Sequence, residues 1–230
     1  MAMGMGMTNK KIIITWGRRK KGGCKQLRSG YHNFLIRGLD IVGSLVGLLL
    51  SIIPILIIGI RIKQEDGGPI FFRQKRVGKN GKIFLMCKLR SMVVQAESLR
   101  QELLDESDVD GMFKMKNDPR VTHIGQYIRK HSLDELPQFW NVLKGDMSLV
   151  GPRPALIEEA SFYSDREKIR LTVKPGITGL WQVSGRSNVS FDKMIDLDLE
   201  YINNESLIGD ITIMLKTILL IFPGEKNGAY

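Results

Sequence analysis

The sequence predicts an α+β protein that is mainly helical, with a small β-hairpin and an N-terminal re-entrant membrane helix-break-helix. Three observations predict this class. The stretch from Ile41 to Ile60 carries no charge, two apolar-rich runs flank an Asn-Gly pair, and helical apolar spacing dominates the second half of the chain. With 230 residues, 43% of them hydrophobic, the chain can bury one substantial core, so we expect one main domain with an attachment.

The positive charge is concentrated at the front of the chain. The net charge is +10, and eight Lys and Arg residues lie within residues 1–32, ahead of the first acidic residue, Asp40. Removing these 8 from the 34 basic residues leaves 26 against 24 acidic ones. We therefore predict a basic tail over residues 1–32, not a basic domain, and this argues against nucleic-acid binding. Such a tail can lie against anionic lipid, where each Lys or Arg contributes about 1 kcal/mol.

The uncharged stretch has about the 20 residues that a helix needs to cross the hydrocarbon core. Pro54 lies inside it, where a proline removes a backbone donor and breaks or kinks a helix. Basic residues flank the stretch on both sides, and basic flanks favour the cytoplasmic side. We therefore predict a re-entrant membrane hairpin over 33–62, with its break at Pro54. A kinked spanning helix is the alternative.

The residues from 63 to 230 are predicted to form the main domain. Asn80-Gly81 stands between IFFRQKRV and KIFLMCKL, which predicts a β-hairpin. Helical patterns cover residues 92–106, 123–130, 191–201 and 207–222, and a further helix begins near Asp134. The last of these helices is strongly apolar, which suits either the core or the membrane surface. Residues 151–154 and 174–179 contain Pro and Gly in patterns typical of rigid turns. The two cysteines, Cys24 and Cys87, have no metal-binding spacing and are too few for a disulfide framework.

The segment 129–154 has the adjacent acids Asp134 and Glu135 at its centre. One interpretation is structural, because Ser132 and Glu135 have the S-x-x-E spacing of a capping box. The alternative makes Asp134 the N-cap of a helix with Pro137 in its first turn, where proline is tolerated. A carboxylate and a phosphate are both favoured at that helix end. An ionised aspartate there can attack phosphorus, and Glu135 can offer an oxygen ligand to Mg²⁺.

Several cations occur in turn-rich or short-element contexts near this segment or before it. A diphosphate needs several such donors to balance its charge. Each cation taken singly is also compatible with a solvated surface position. The candidates for phosphate binding are Lys88, Arg90, Arg129 and Arg153.

From about Phe34 to the end, the chain resembles the bacterial sugar transferases. These are monotopic phosphoglycosyl transferases that begin capsule, exopolysaccharide and O-antigen assembly. The resemblance rests on ordered stretches: GGPIFFRQKRVGKNGKIF, KLRSM, NDPRVTHIGQYIRKHSLDELPQFWNVLKGDMSLVGPRP and KPGITGLWQVSGR. The family hairpin often has Ser directly before its proline, whereas Ile53 precedes Pro54 here.

The resemblance implies the monotopic phosphoglycosyl transferase fold and transfer of a sugar 1-phosphate from a UDP-sugar to undecaprenyl phosphate, with release of UMP. It implies a covalent two-step mechanism in which Asp134 is the nucleophile and Glu135 is its partner linked to Mg²⁺. Basic positions of the phosphate site match Lys88, Arg129 and Arg153. Acidic positions near that site match Asp198 and Asp210, and nucleotide or sugar contacts match Gln182 and Arg186.

The resemblance also implies a catalytic domain with interfacial helices at the cytoplasmic face of a bacterial inner membrane. It implies a minimal form without further N-terminal membrane spans. A non-enzymatic, membrane-anchored scaffold of a polysaccharide assembly complex is the competing interpretation, and it leaves the acid pair and its cations unexplained. The sequence leaves open which sugar is transferred, which polysaccharide is made and whether the protein forms oligomers.

Overall fold

The computed structural model describes residues 30–102, 115, 117–185 and 189–221. The described chain is mostly helical, with two small sheets and one long apolar helix on its N-terminal side, which confirms this part of the predicted fold class. Most of the predicted basic tail lies outside the described residues, and so do Cys24 and Arg186.

The elements follow one another in a simple order. Helix α1 (Gly30–Asp66) precedes an antiparallel hairpin of β1 (Phe71–Val77) and β2 (Ile83–Leu89). The strands β3 (Ser148–Val150) and β4 (Gly176–Thr178) pair in parallel. One-turn 3-10 helices include Leu133–Glu135, and a longer one is Glu167–Thr172. The remaining α-helices are α2 (Ala96–Glu102), α3 (His123–Lys130), α4 (Gln138–Lys144), α5 (Ile157–Ser161), α6 (Leu180–Val183), α7 (Phe191–Asn203) and α8 (Leu207–Ile221).

Helix α1 is 37 residues long, and it is long and apolar enough to cross a membrane by length and composition. Its backbone stays helical through Pro54, so the predicted break at this residue is not confirmed. The buried side chains of Ser51 and Ile58 lie on either side of the proline. Burial on both sides of the proline shows that both halves of the helix pack against the rest of the protein.

One face of α1 packs against the rest of the protein over most of its length. Near its start, Arg37 donates to two backbone carbonyls in α4 over 2.8 and 2.7 Å. Asp40 accepts from the hydroxyl of Ser148 and from the next backbone amide, both over 2.8 Å. Near its end, Glu65 accepts from the backbone amide of His123 over 2.7 Å. Both ends of α1 are therefore tied to the same folded body.

The β-hairpin confirms the prediction from its turn sequence. Asn80 and Gly81 adopt left-handed backbone conformations, with φ of 57° and 75°. Asparagine and glycine tolerate this region better than other residues do. Side chains alternate between the two faces of a strand, so Lys88 lies on the same face as its register partner Phe72. That face turns towards the cavity described below.

The predicted helices agree with the structure where local signals are strong. The side chain of Thr122 caps α3, and that of Ser190 caps α7. Gly145 ends α4 with φ of 88°, as the sequence predicts. The described part of α2 is shorter than the predicted 92–106. The prediction of a rigid turn over 174–179 is wrong for Gly176–Thr178, because these residues form a strand that pairs with β3.

The largest core cluster joins the hairpin to the helices of the second half. It contains Phe84, Met86, Val142, Met147, Leu149, Val150, Tyr201 and Ile213. Helix α8 contributes Ile213 to this cluster, whereas its Ile208, Leu215 and Leu219 side chains are exposed. This helix therefore buries one apolar face in the core and leaves another open. The cluster holds β3 in place, and the chain leaves β3 directly towards the cavity.

Candidate active site

A cavity of about 570 Å³ lies between the hairpin, the 3-10 turn before α4 and the segments that follow β3 and β4. Small-molecule sites typically have volumes of about 300 to 1,000 Å³. Seven of the site residues predicted from the sequence line this single cavity, although they are far apart in the chain. They are Lys88, Arg90, Arg129, Asp134, Glu135, Arg153 and Gln182.

The centre of the cavity wall is a lysine that binds both acids. The ammonium nitrogen of Lys88 lies 3.3 Å from Asp134 Oδ2 and 2.8 Å from Glu135 Oε1. Lys88 reaches them from β2, and the acids belong to the 3-10 turn Leu133–Glu135. The long separation along the chain, 46 residues between Lys88 and Asp134, means that tertiary structure creates this cluster.

The local structure around the acids differs from both interpretations of the sequence. Ser132 has a left-handed backbone with φ of 54°, and its side chain makes no cap hydrogen bond, so the capping box does not form. The N-cap assignment of Asp134 is also wrong, because Pro137 occupies the N-cap of α4. The left-handed residue turns the chain after α3 into a separate 3-10 turn. This turn points both carboxylates at Lys88.

Burial and charge oppose each other at Asp134. Its residue surface is only 8% exposed. Burial raises the pKa of Asp134 and the neighbouring Glu135 adds to this effect, while Lys88 and Arg129 act in the opposite direction. Burial also disfavours the charge of Lys88, but the carboxylates of Glu135 and Asp134 outweigh it and raise the pKa of Lys88. Lys88 therefore stays cationic at neutral pH and compensates the acid pair.

The arginines of the cavity differ in how far they are already engaged. Within the described part of the chain, the guanidinium of Arg129 makes no hydrogen bond or ion pair. Arg153 pairs with Glu159 over 3.1 Å. Arg90 is engaged on all sides, because it binds both oxygens of Asp66 and donates to the backbone carbonyls of Pro69 and Met92. Arg90 thus ties the end of α1 to β2, and its phosphate role stays a prediction.

The acid Asp198 lies behind the cavity wall and does not line it. Its carboxylate is 1% exposed and accepts from Arg170 over 2.8 Å. The same guanidinium donates to the hydroxyl of Tyr163 over 2.6 Å and to the backbone carbonyl of Arg153 over 3.3 Å. Burial raises the pKa of Asp198 to about 6. Through Arg170, Asp198 therefore helps to hold Arg153, whose side chain lines the cavity.

Asp210 is also buried, and it is linked through Tyr201 to the start of the segment from Val150 to Arg153. It is 2% exposed, and its Oδ1 atom lies 2.9 Å from the hydroxyl of Tyr201. That hydroxyl is also 3.3 Å from the carbonyl oxygen of Val150, the last residue of β3. Asp198 and Asp210 are thus near the site, as expected from the resemblance, but they hold the chain from Val150 to Arg153 from behind. Their direct roles towards substrate remain predictions.

Two further side chains line the cavity that the sequence reasoning did not single out. Gln138 begins α4, four residues after Asp134, and Trp181 lies beside the predicted Gln182 in α6. The signal for Gln138 is weak in the sequence, because a glutamine in a first helical turn has an ordinary structural explanation. The only sequence signal for Trp181 as a site residue is its position next to Gln182 in the WQVSGR stretch.

The described residues contain no group of three or more His, Cys, Asp and Glu side chains that could hold a metal ion. Mg²⁺ commonly binds one or two protein carboxylates together with substrate phosphates, so a protein cage is not required. The adjacent carboxylates of Asp134 and Glu135 fit this partial set. The side chain of Glu135 is 35% exposed, which leaves it accessible from the cavity.

Comparison with known proteins gives a consistent result. The family profile described as bacterial sugar transferase matches residues 31–224. The galactosyl transferase CpsE of Streptococcus agalactiae is 50% identical over 195 residues, which cover 84% of this chain and 43% of that protein. The undecaprenyl-phosphate galactose phosphotransferase of Salmonella typhimurium is 45% identical over 202 residues, which cover 86% of this chain and 42% of that protein. The exopolysaccharide production protein ExoY of Rhizobium meliloti is 39% identical over 187 residues, which cover 79% of this chain and 83% of that protein.

The chain therefore spans about two fifths of the length of the first two relatives and most of the length of the third. The matched residues 31–224 include the long apolar helix, the hairpin and the acid pair with its lysine. The residues matched by the profile include all the residues that line the cavity. The chain belongs to the bacterial sugar transferase family.

Proposed function

We propose that this protein transfers a sugar 1-phosphate from a UDP-sugar to undecaprenyl phosphate and thereby starts the synthesis of an exopolysaccharide, capsule or O-antigen. The observation that carries the proposal is the cluster of Lys88, Asp134 and Glu135 in a cavity that also contains Arg129 and Arg153. Two relatives support the substrate classes by their names, undecaprenyl-phosphate galactose phosphotransferase and UDP-glucose:undecaprenyl-phosphate glucose-1-phosphate transferase.

In the first step, a carboxylate oxygen of Asp134 attacks the phosphorus that bears the sugar. The bond from this phosphorus to the bridging oxygen of the diphosphate breaks, and UMP leaves with the bonding electrons. The sugar phosphate is then held on Asp134 as an acyl phosphate. Lys88, Arg129 and Arg153 balance the charge of the diphosphate, because each can donate charge-assisted hydrogen bonds to phosphate oxygens.

In the second step, an oxygen of undecaprenyl phosphate attacks the same phosphorus. The bond between this phosphorus and Asp134 breaks, which releases undecaprenyl diphosphate sugar and regenerates the carboxylate. The cation that pairs with Asp134 suits both steps. Lys88 contacts Asp134 and Glu135 at once, so it can stay paired with Glu135 while Asp134 carries the phosphate.

We assign Mg²⁺ to Glu135, together with phosphate oxygens of the donor. When bound, the ion supplies positive charge against the leaving phosphate. Glu135 suits this assignment because it is more exposed than Asp134 and has a second carboxylate oxygen beyond the one that contacts Lys88. A requirement for added Mg²⁺, lost on chelation, is the expected result.

The position of α1 supports a catalytic domain on one side of the membrane, which we place at the cytoplasmic face. Arg37 and Glu65 both contact the folded body, and 28 residues of helix between them span about 42 Å. This exceeds the hydrocarbon thickness of about 30 Å, so a straight crossing would put contacts of one body on opposite sides. The outward face of α1 is apolar and exposed. We propose that α1 bends at Pro54 while its backbone stays helical, so that it enters and leaves by the same leaflet, as the basic flanks predict.

Cysteine labelling tests this topology. Tyr31→Cys and Gln64→Cys place a thiol at exposed positions near the two ends of α1. Both should react with a membrane-impermeant reagent only from the cytoplasmic side, in a background where Cys24 and Cys87 are replaced by serine. Labelling of either end from the periplasmic side would contradict the re-entrant arrangement.

The activity is tested with purified protein in detergent, Mg²⁺ and a panel of UDP-sugars. With donor alone, about one UMP per active enzyme should appear as a burst, and intact mass should show the sugar phosphate on the peptide that contains Asp134. Added polyprenyl phosphate should discharge this adduct. A strict need for acceptor before any UMP release, with no adduct, would support direct transfer instead. No UMP from any UDP-sugar would support the scaffold interpretation.

A further inference from the structure

Three neutral side chains in the cavity wall have a buried polar atom without a hydrogen-bond partner among the described residues. The atoms are Nε2 of Gln138, Nε1 of Trp181 and Oε1 of Gln182. A buried donor or acceptor that is left unpaired costs about 1 to 3 kcal/mol, and folded proteins contain few of them. Three such atoms around one cavity therefore indicate groups that a ligand satisfies.

The fold brings these three residues together from two elements. Gln138 is the first residue of α4, and Trp181 and Gln182 belong to α6, which follows β4 closely. Because β3 and β4 are parallel, the segments after them leave the same edge of the sheet. Trp181 and Gln182 therefore share this edge with Arg153. The three side chains line the cavity and their unpaired atoms are buried in its wall, so contact between these atoms and a ligand requires a side-chain rotation.

The charge of these residues separates them from the phosphate-binding part of the cavity. Lys88, Arg129 and Arg153 carry the positive charge that two phosphates need. Gln138, Trp181 and Gln182 are neutral, and each glutamine amide carries both a donor and an acceptor. Neutral groups of this kind match the hydroxyls of a sugar, which donate and accept in the same way.

The position of Gln138 favours the sugar ring of the donor over its uracil base. Gln138 follows Asp134 by four residues, about one helical turn. The sugar is bonded directly to the phosphate that Asp134 attacks, whereas the base lies beyond a second phosphate and a ribose. We infer that Gln138, Trp181 and Gln182 form the subsite that binds the hydroxyls of the transferred sugar and selects among UDP-hexoses. This inference rests on the proposed function.

The test compares donors that differ in the sugar with a ligand that lacks it. The variants Gln138→Met, Gln182→Met and Trp181→Phe remove the polar atoms and keep much of the side-chain volume. For each, kcat/KM is measured with UDP-glucose, UDP-galactose and UDP-N-acetylglucosamine, and inhibition by UMP is measured alongside. We expect the ratio of kcat/KM between two of these donors to change by about tenfold or more, while UMP inhibition stays within about twofold.

Gln126→Met is the matched control, because Gln126 is exposed on α3 and does not line the cavity. An equal loss with every donor, accompanied by weaker UMP inhibition, would assign the three residues to the nucleotide and overturn the inference. Unchanged ratios and unchanged inhibition would overturn it as well, since the buried atoms would then be satisfied without a ligand. If Gln138→Met fails to fold, the two variants in α6 still decide.

Calorimetric binding of UDP-sugars and UMP separates this inference from the proposed function. Binding does not require turnover, so the subsite can be tested even in a protein that releases no UMP. The subsite predicts that UDP-hexose binding weakens about tenfold in the variants while UMP binding does not change. A wild-type protein that binds UDP-sugars but never releases UMP would contradict the proposed function and leave the subsite standing.

Discussion

Two buried carboxylates of this protein pair with a cation and have opposite surroundings. Asp134 pairs with Lys88, and Asp198 pairs with Arg170. Both aspartate residues are less than one tenth exposed, and burial raises the pKa of each. Asp134 lines the cavity, whereas Asp198 is enclosed behind it.

The difference lies in access and in the number of partners of the cation. Lys88 is a point charge shared by two acids, so one acid can be released to react. Arg170 is a planar donor whose nitrogen atoms are committed to Asp198, Tyr163 and the carbonyl of Arg153. Burial and pairing alone therefore do not identify a reactive acid. An open approach and an exchangeable partner distinguish it.

The largest expected effect is that of Asp134→Asn. The amide keeps the shape of the side chain but cannot form the acyl phosphate, so turnover and the UMP burst should fall by at least about 1000-fold. Stability should change little, because Lys88 keeps Glu135 as its partner. UMP release and thermal unfolding measure the two effects. Asp165→Asn is the control, because it makes the same change at an exposed acid.

The second-largest effect is expected on stability, when the buried ion pair of Arg170 and Asp198 is broken. Arg170→Met removes the cation and leaves the Asp198 carboxylate buried without its partner, which should lower the free energy of unfolding by about 3 to 5 kcal/mol. Urea denaturation measures this loss. Arg166→Met is the matched control, because Arg166 forms an exposed ion pair with Asp196 and should lose less than about 1 kcal/mol. A stable Arg170→Met protein that no longer forms the adduct would place this pair in the chemistry.

A smaller effect is expected in the pH dependence of stability. The pKa of Asp198 is about 6 in the folded protein and 3.8 in the unfolded reference, so the folded state binds the proton more tightly. This contribution to stability is complete below about pH 4 and is lost as the pH rises through about 6, a total of roughly 3 kcal/mol. Asp198→Asn should flatten the curve in this window. Equal slopes in urea titrations of both proteins would contradict the raised pKa.

The smallest effect is a shift of the acid limb of activity. Asp134 must lose its proton before it attacks, and Lys88 lowers the pKa of Asp134 against the effect of burial. Lys88→Met should therefore move the acid limb of kcat/KM to higher pH. The pH profile of UMP release measures this shift. Lys130→Met, which changes an exposed lysine at the end of α3, should leave the limb in place.

The sequence by itself determined the elements whose signals are local. Asn80-Gly81 predicted the hairpin because its left-handed conformations depend on these two residues alone. The patterns of α3, α7 and α8 were equally readable, since apolar spacing and capping residues act within a few positions. The acid pair and most of its cations were also found, because the resemblance rests on short ordered motifs.

Tertiary structure alone decided how these residues act. Three-residue strands carry too little pattern to be recognised, so the parallel pairing of β3 and β4 was missed. The continuity of α1 through Pro54 depends on packing against the rest of the protein. Arg90 and Arg129 look alike in the sequence, yet Asp66 forms an ion pair with Arg90 and not with Arg129. Ion pairs and buried polar atoms arise between residues far apart in the chain, and no local pattern encodes which partners meet.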